Sequence, residues 1–202
     1  SAPGTISCAD EKAMLEKFKE IVASYDPDIM IGYNAENFDL PYIFGRMEKL
    51  GIKSDFGRSD KSCFSRKLGM TQRATVTGRV IIDPYYIIRY LSVYDQPHRL
   101  KRFDLDTVSK AILGEEKMKL EGNYVKHVQG AWSEGGDKLR HVIEYCRKDS
   151  DLALRLVTSH KLVDMDKFIE MAKISGLLVQ DLMAGQAARH ENALLHELNK
   201  KN

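Results

Sequence analysis

The chain has 202 residues, 43% hydrophobic and 30% charged, with a formal net charge of +2. That composition suits a soluble globular protein with one core and a small appendage. The near-neutral balance excludes a globally basic binder of duplex DNA, so any nucleic-acid contact needs local positive patches.

Asp10 reads as the N-cap of a helix carrying Met14, Leu15, Phe18, Ile21 and Val22 on one face, with Lys12, Glu16, Lys17, Lys19 and Glu20 on the wet side. Pro27 ends it, and Ile29-Met30-Ile31 is a short apolar run of the fully buried strand type. After an Asn-rich turn, Pro41 sits where a first-turn proline is tolerated, and a helix runs to about Leu50 with Gly51 closing it. Helix, buried strand, helix makes an α/β fold. Residues 57–73 are polar and basic without a period and read as a surface loop. Thr75 to Ile82 has the pattern of a hairpin about Thr77-Gly78-Arg79.

Asp83-Pro84 opens an aromatic and aliphatic helix through Leu91, and Asp104 caps a shorter one bearing Leu105, Val108, Ala111 and Ile112, closed by Gly114. Residues 115–136 read mostly as loop. Asp137 starts a long helix to about Leu162, and further helices complete the chain. Cys8, Cys63 and Cys146 are odd in number and widely spaced, which argues against a disulfide framework and for a reducing, cytoplasmic setting. No apolar run approaches the ~20 residues of a membrane span, so no membrane partner is expected.

Two carboxylates stand out. Asp39 lies between the apolar strand and the helix entered through Pro41, a position that suits either an N-cap or a site acid. In the long helix the apolar stripe reads Leu139, Val142, Ile143, Cys146, Ala153, Leu154 and Val157, and Asp149 follows Val142 by seven positions, within about 20° of its direction. An ionised carboxylate aimed inward requires a cation or strong donors, so Asp149 is either paired structurally or holds a metal. Tyr145 is one turn earlier on nearly the same face, able to hydrogen-bond a water or oxyanion beside Asp149. Asp83 could be a third acid, but Asp-Pro reads as a helix start. Lys61, Arg66, Lys67, Arg73 and Arg79 crowd one segment, and His98, Arg99, Lys101 and Arg102 another; each is a phosphate-binding patch or solvated loop charge. Phosphate-loop and serine-hydrolase motifs are absent.

Tyr33-Asn34-x-x-x-Phe38-Asp39-Leu40-Pro41-Tyr42 resembles the second exonuclease motif of family B DNA polymerases, and Tyr145-x-x-x-Asp149 resembles the third. Asp26-Pro27-Asp28-Ile29, Gly78-Arg79-Val80 through Asp83, Leu105-Asp106-Thr107-Val108 through Gly114, and Ser175-Gly176-Leu177 onward are similar too, most closely to the archaeal type. The resemblance implies an RNase H-like 3′–5′ proofreading exonuclease fold, lacking its first strands and carrying a helical C-terminal extension. Residues 1–163 would be the partial exonuclease domain and 164–202 the helical segment leading toward the polymerase domain.

It further implies phosphodiester hydrolysis by two Mg²⁺ or Mn²⁺ ions, with Asp39 and Asp149 as metal ligands, Tyr145 positioning the attacking water, and Asn34 and Phe38 holding the 3′ end. Single-stranded DNA at a primer terminus and the rest of the polymerase chain are the implied partners. The Asp-x-Glu of the family's first strand is absent: only 33 residues precede Asn34 and none forms that pattern. These 202 residues are therefore expected to bind metal weakly and to turn over little. The alternative is a non-catalytic module derived from this domain, acting as a single-strand clamp or scaffold.

Overall fold

The computed structural model describes residues 4–68, 71–94, 100–116, 118, 124–159, 164–184 and 186–199. Helix α1 (Glu11–Tyr25) starts where Asp10 accepts a hydrogen bond from the Ala13 amide at 2.7 Å. It stops at Asp26, whose left-handed φ of 46° turns the chain into Pro27. Strand β1 (Ile29–Ile31) follows, then α2 (Asp39–Lys49). Gly51, at φ 68°, supplies the reversal after α2 that a β-carbon would strain.

Residues 57–73 are not the loop that their composition suggests. Strand β2 (Phe64–Leu68) and strand β3 (Thr71–Thr75) form an antiparallel hairpin with Phe64 opposite Thr75. The hairpin hid because Phe64 through Lys67 are all exposed, so no buried face imposes alternation on β2. The hairpin expected about Thr77-Gly78-Arg79 is instead a tight turn, closed by the Arg79 amide on the Val76 carbonyl at 3.0 Å. It leads into β4 (Val80–Ile82), which pairs in parallel with β1, Met30 beside Ile81.

Side chains alternate across β4, so Ile81 and Ile82 serve two cores. Ile81 joins Leu15, Val22, Leu40, Phe44, Met47, Phe56 and Val76 from the α1 and α2 side. Ile82 joins Ile87, Ile88, Leu105, Val108, Leu152, Leu156 and Val157 on the other. The full burial expected of β1 is not realised: Ile29 is 43% exposed. Among the described residues β1 has a strand neighbour on one edge only.

Helix α3 (Pro84–Tyr94) and α4 (Leu105–Leu113) follow. Asp104 accepts from the Thr107 amide at 3.0 Å, and Gly114 (φ 75°) closes α4. Asp104→Ala should lower unfolding stability by about 1 kcal/mol, read as a shifted urea midpoint at constant slope. A second correction falls in 115–136, where α5 (Tyr124–Glu134) replaces much of the expected loop. Gly130 interrupts its period; it is held by packing on α6 (Gly136–Thr158), where Ala131 is buried.

The inward face of α6 is Val142, Tyr145, Leu152, Ala153, Leu156 and Val157. Cys146 and Leu154, both assigned to the stripe from spacing, are exposed. Helix α7 (Met165–Ser175), a 3₁₀ helix (Val179–Ala184) and α8 (Gln186–Asn199) complete the fold. The three cysteines are unbridged, and no helix of the described residues is long and apolar enough to cross a membrane.

Candidate active site

The site grows from the turn after β1. Gly32 is required there: a β-carbon would come within 2.6 Å of the Ala35 β-carbon. Asn34 then takes a left-handed φ of 59°, a conformation asparagine tolerates better than other non-glycine residues. Its carbonyl accepts the amides of Asn37 (3.2 Å) and Phe38 (3.1 Å), and its side-chain oxygen accepts from Asn37 Nδ2 at 2.8 Å.

Asp83, at the end of β4, ties this turn to the neighbouring strand. Its Oδ1 accepts the Asn34 amide at 2.8 Å and the Tyr85 amide at 3.0 Å, and its Oδ2 accepts the Glu36 amide at 3.2 Å. Burial pushes its carboxyl up to about 6 against these stabilising donors. With both oxygens taken by main-chain amides, Asp83 braces the loop, the structural employment read from Asp-Pro.

Asp39 is the first residue inside α2, not its cap; the cap position is Phe38, which makes no side-chain capping bond. The helix N-terminus favours a carboxylate there. Burial nevertheless raises its pKa above the ordinary value. Asp39 is exposed overall and lines a cavity of about 450 Å³, so this desolvation is partial. Asp149 and Ser150 of α6 line the same cavity, with Tyr33, Leu40, Ile43 and Leu105 among its walls.

Tyr145 is buried one turn before Asp149 and is not among the residues lining that cavity. Asn34 faces an adjoining open concavity with Tyr33, Tyr85, Arg102 and Phe103. Phe38 is exposed and stacks on exposed Tyr42, rings 8° from parallel with centroids 6.2 Å apart. The pair leaves an aromatic platform beside Asp39. Tyr42 was legible only as part of the motif.

The basic clusters divide. Arg79 is buried and donates to Asp26 Oδ1 (2.8 Å) and the carbonyls of Pro27 (2.6 Å) and Phe56 (3.1 Å). Arg73 is paired with Glu36. Lys61, Arg66 and Lys67 remain exposed, as do Lys101 and Arg102; His98 and Arg99 lie outside the described residues.

Carboxylates at Asp39 and Asp149 are hard oxygen donors suited to Mg²⁺ or Mn²⁺. No group of three His, Cys, Asp or Glu assembles among the described residues.

A family model described as DNA polymerase family B, exonuclease domain, matches residues 2–108, which include Asp39 but stop before Asp149. The DNA polymerase delta catalytic subunit of Caenorhabditis elegans is 33% identical over 212 aligned residues, covering 98% of this chain and 18% of that protein. The DNA polymerase of Pyrococcus glycovorans is 33% identical over 148 residues, covering 73% of this chain and 18% of that protein. The chain thus spans under a fifth of the length of these curated relatives. Among solved structures, the family B DNA polymerase from the hyperthermophilic archaeon Pyrobaculum calidifontis matches with a TM-score of 0.72 at 25% identity, over 94% of this chain and 23% of that one. The fold is the α/β, RNase H-like fold of that exonuclease domain. With its motif-bearing turn, its parallel strand pair and these matches in agreement, the chain belongs to the exonuclease domain of family B DNA polymerases.

Proposed function

We propose that this chain is the proofreading region of a family B DNA polymerase, removing nucleotides from single-stranded 3′ ends in the intact protein. The observation that carries the reading is that Asp39 and Asp149, far apart in sequence, line one cavity. Asp39 and Asp149 would hold the divalent cations, Mg²⁺ or Mn²⁺, which when bound activate water and stabilise the leaving 3′ oxygen. Tyr145, which does not line the cavity in this arrangement, would orient the attacking water after turning its hydroxyl toward Asp149. Asn34 and Phe38 hold the frayed primer end, with Phe38 and Tyr42 stacking against its bases. Residues 164–202 lead from the nuclease body, 1–163, toward the remainder of the polymerase chain.

That only two carboxylates among the described residues line the cavity favours a second reading, a non-catalytic single-strand-binding or scaffold module. The two differ in a digestion assay. Intact protein should shorten a 5′-labelled single strand from its 3′ end with Mn²⁺, whereas the 202-residue chain alone should show little turnover. Missing charge-stabilising groups cost several kcal/mol of barrier, about 10²–10³-fold each. An intact protein that binds the strand without trimming it would establish the module reading.

A further inference from the structure

The 3₁₀ helix near the C-terminus reaches into the motif turn through one side chain. Gln180 donates from Nε2 to Glu36 Oε1 at 2.8 Å and to the Ala74 carbonyl at 2.9 Å, while its Oε1 accepts the Ile81 amide at 3.1 Å. A single amide therefore bridges the backbones of β3 and β4, as a short strand would, and ends on the motif loop. Glu36 has no exposed surface. Its Oε2 pairs with Arg73 Nη1 at 3.1 Å, and Arg73 in turn lies over the Tyr86 ring, 5.3 Å from its centroid, and donates to the Gln180 carbonyl at 3.4 Å. Tyr86 donates its hydroxyl to Asn37 Oδ1 at 2.7 Å. Glu36 and Asn37 are thus both held from outside the turn, immediately before Asp39.

A buried carboxylate in a loop is costly without such partners. Neither Glu36, Arg73 nor Gln180 lines the cavity shared by Asp39 and Asp149, although Ile81, whose amide Gln180 holds, does. These polar side chains act on the turn from outside that cavity. We propose that Gln180 and Glu36 are positioning residues for Asp39, so that docking of the C-terminal 3₁₀ segment latches the exonuclease loop. Displacement of residues 179–184 by rearrangement of the chain on their C-terminal side would loosen the turn and lower excision. The consequence for excision rests on the proofreading reading; the latch itself does not.

Two measurements separate these. In the 202-residue chain, hydrogen exchange at the amides of Asn34, Glu36, Asn37 and Phe38 should speed up on the order of tenfold in Gln180→Ala, the loss of about one hydrogen bond. Val157→Ala, a core change remote from the turn, serves as the control for global destabilisation. Glu36→Gln, nearly isosteric, is the milder variant should Gln180→Ala fold poorly, and the same amides should respond. Unchanged exchange at these amides, or exchange raised equally by the control, overturns the latch. In the intact protein Gln180→Ala should lower kcat for single-strand excision with KM unchanged. A fall confined to KM would make Gln180 a substrate-binding residue and overturn the positioning role. If the intact protein shows no Asp39-dependent excision, the proofreading reading fails, while the exchange result still decides the latch.

Discussion

Asp149→Ala in the intact polymerase should abolish 3′–5′ excision, lowering the rate on a frayed primer by about 10³-fold or more, while polymerisation continues. The size follows from the role proposed for it. A carboxylate that holds a catalytic cation supports water activation and leaving-group stabilisation together, and each such electrostatic contribution is worth several kcal/mol of barrier. Folding should respond differently. Asp149 is only half-buried on α6, and the helix is anchored by Leu152, Leu156 and Val157. Stability should therefore stay within about 1 kcal/mol of the parent, or rise as an inward charge is removed. Excision is followed by loss of label from a 3′-mismatched primer, and folding by thermal melting of the same protein. Excision at the parental rate would remove Asp149 from the site. A collapse in melting temperature would assign it a structural role instead.

Unfolding stability of the chain should fall as pH rises from about 4.5 to 7, with Glu36 the main source. Burial pushes the Glu36 carboxyl from 4.5 up to about 7, outweighing the Arg73 guanidinium beside it. A raised carboxyl binds its proton more tightly folded than unfolded. Its stabilising contribution is therefore complete below the unfolded value and is lost as pH climbs through the folded one. For Glu36 alone this is on the order of 3 kcal/mol across the window. Asp83, raised from 3.8 to about 6 by burial, acts in the same direction. The opposite class titrates elsewhere. Glu115 is held down at about 2 by Arg155 and Lys148, and Asp26 is lowered by Arg58 and Arg79, so their contributions disappear on the acid side. Urea titrations at pH 5 and pH 7.5 of the parent and Glu36→Gln isolate the effect, the variant having the flatter profile. Identical slopes in the two proteins would refute the assignment to Glu36.

The chain spans only part of the length of its relatives. β1 carries the motif turn at one end and pairs with β4 alone among the described residues, and the cavity beside Phe18, Met30 and Ile43 is walled largely by apolar side chains.

Residue order alone determined the elements whose signals are local. Asp10 and Asp104 cap α1 and α4 because a side-chain acceptor ahead of an apolar stripe satisfies amides the helix leaves open, and Gly51 and Gly114 end helices because they tolerate positive φ. The family resemblance was carried by two contiguous patterns, about Asp39 and Asp149. Tertiary structure alone decided the rest. The hairpin of β2 and β3 buries too little to impose alternation, the parallel pairing of β1 with β4 depends on a partner far along the chain, and α5 exists by packing on α6. The contacts of Glu36 with Arg73 and Gln180 join residues that share no local pattern. Periodicity reports which face of an element is apolar, but not which distant side chain will meet it, because that choice is made by packing and burial across the whole molecule.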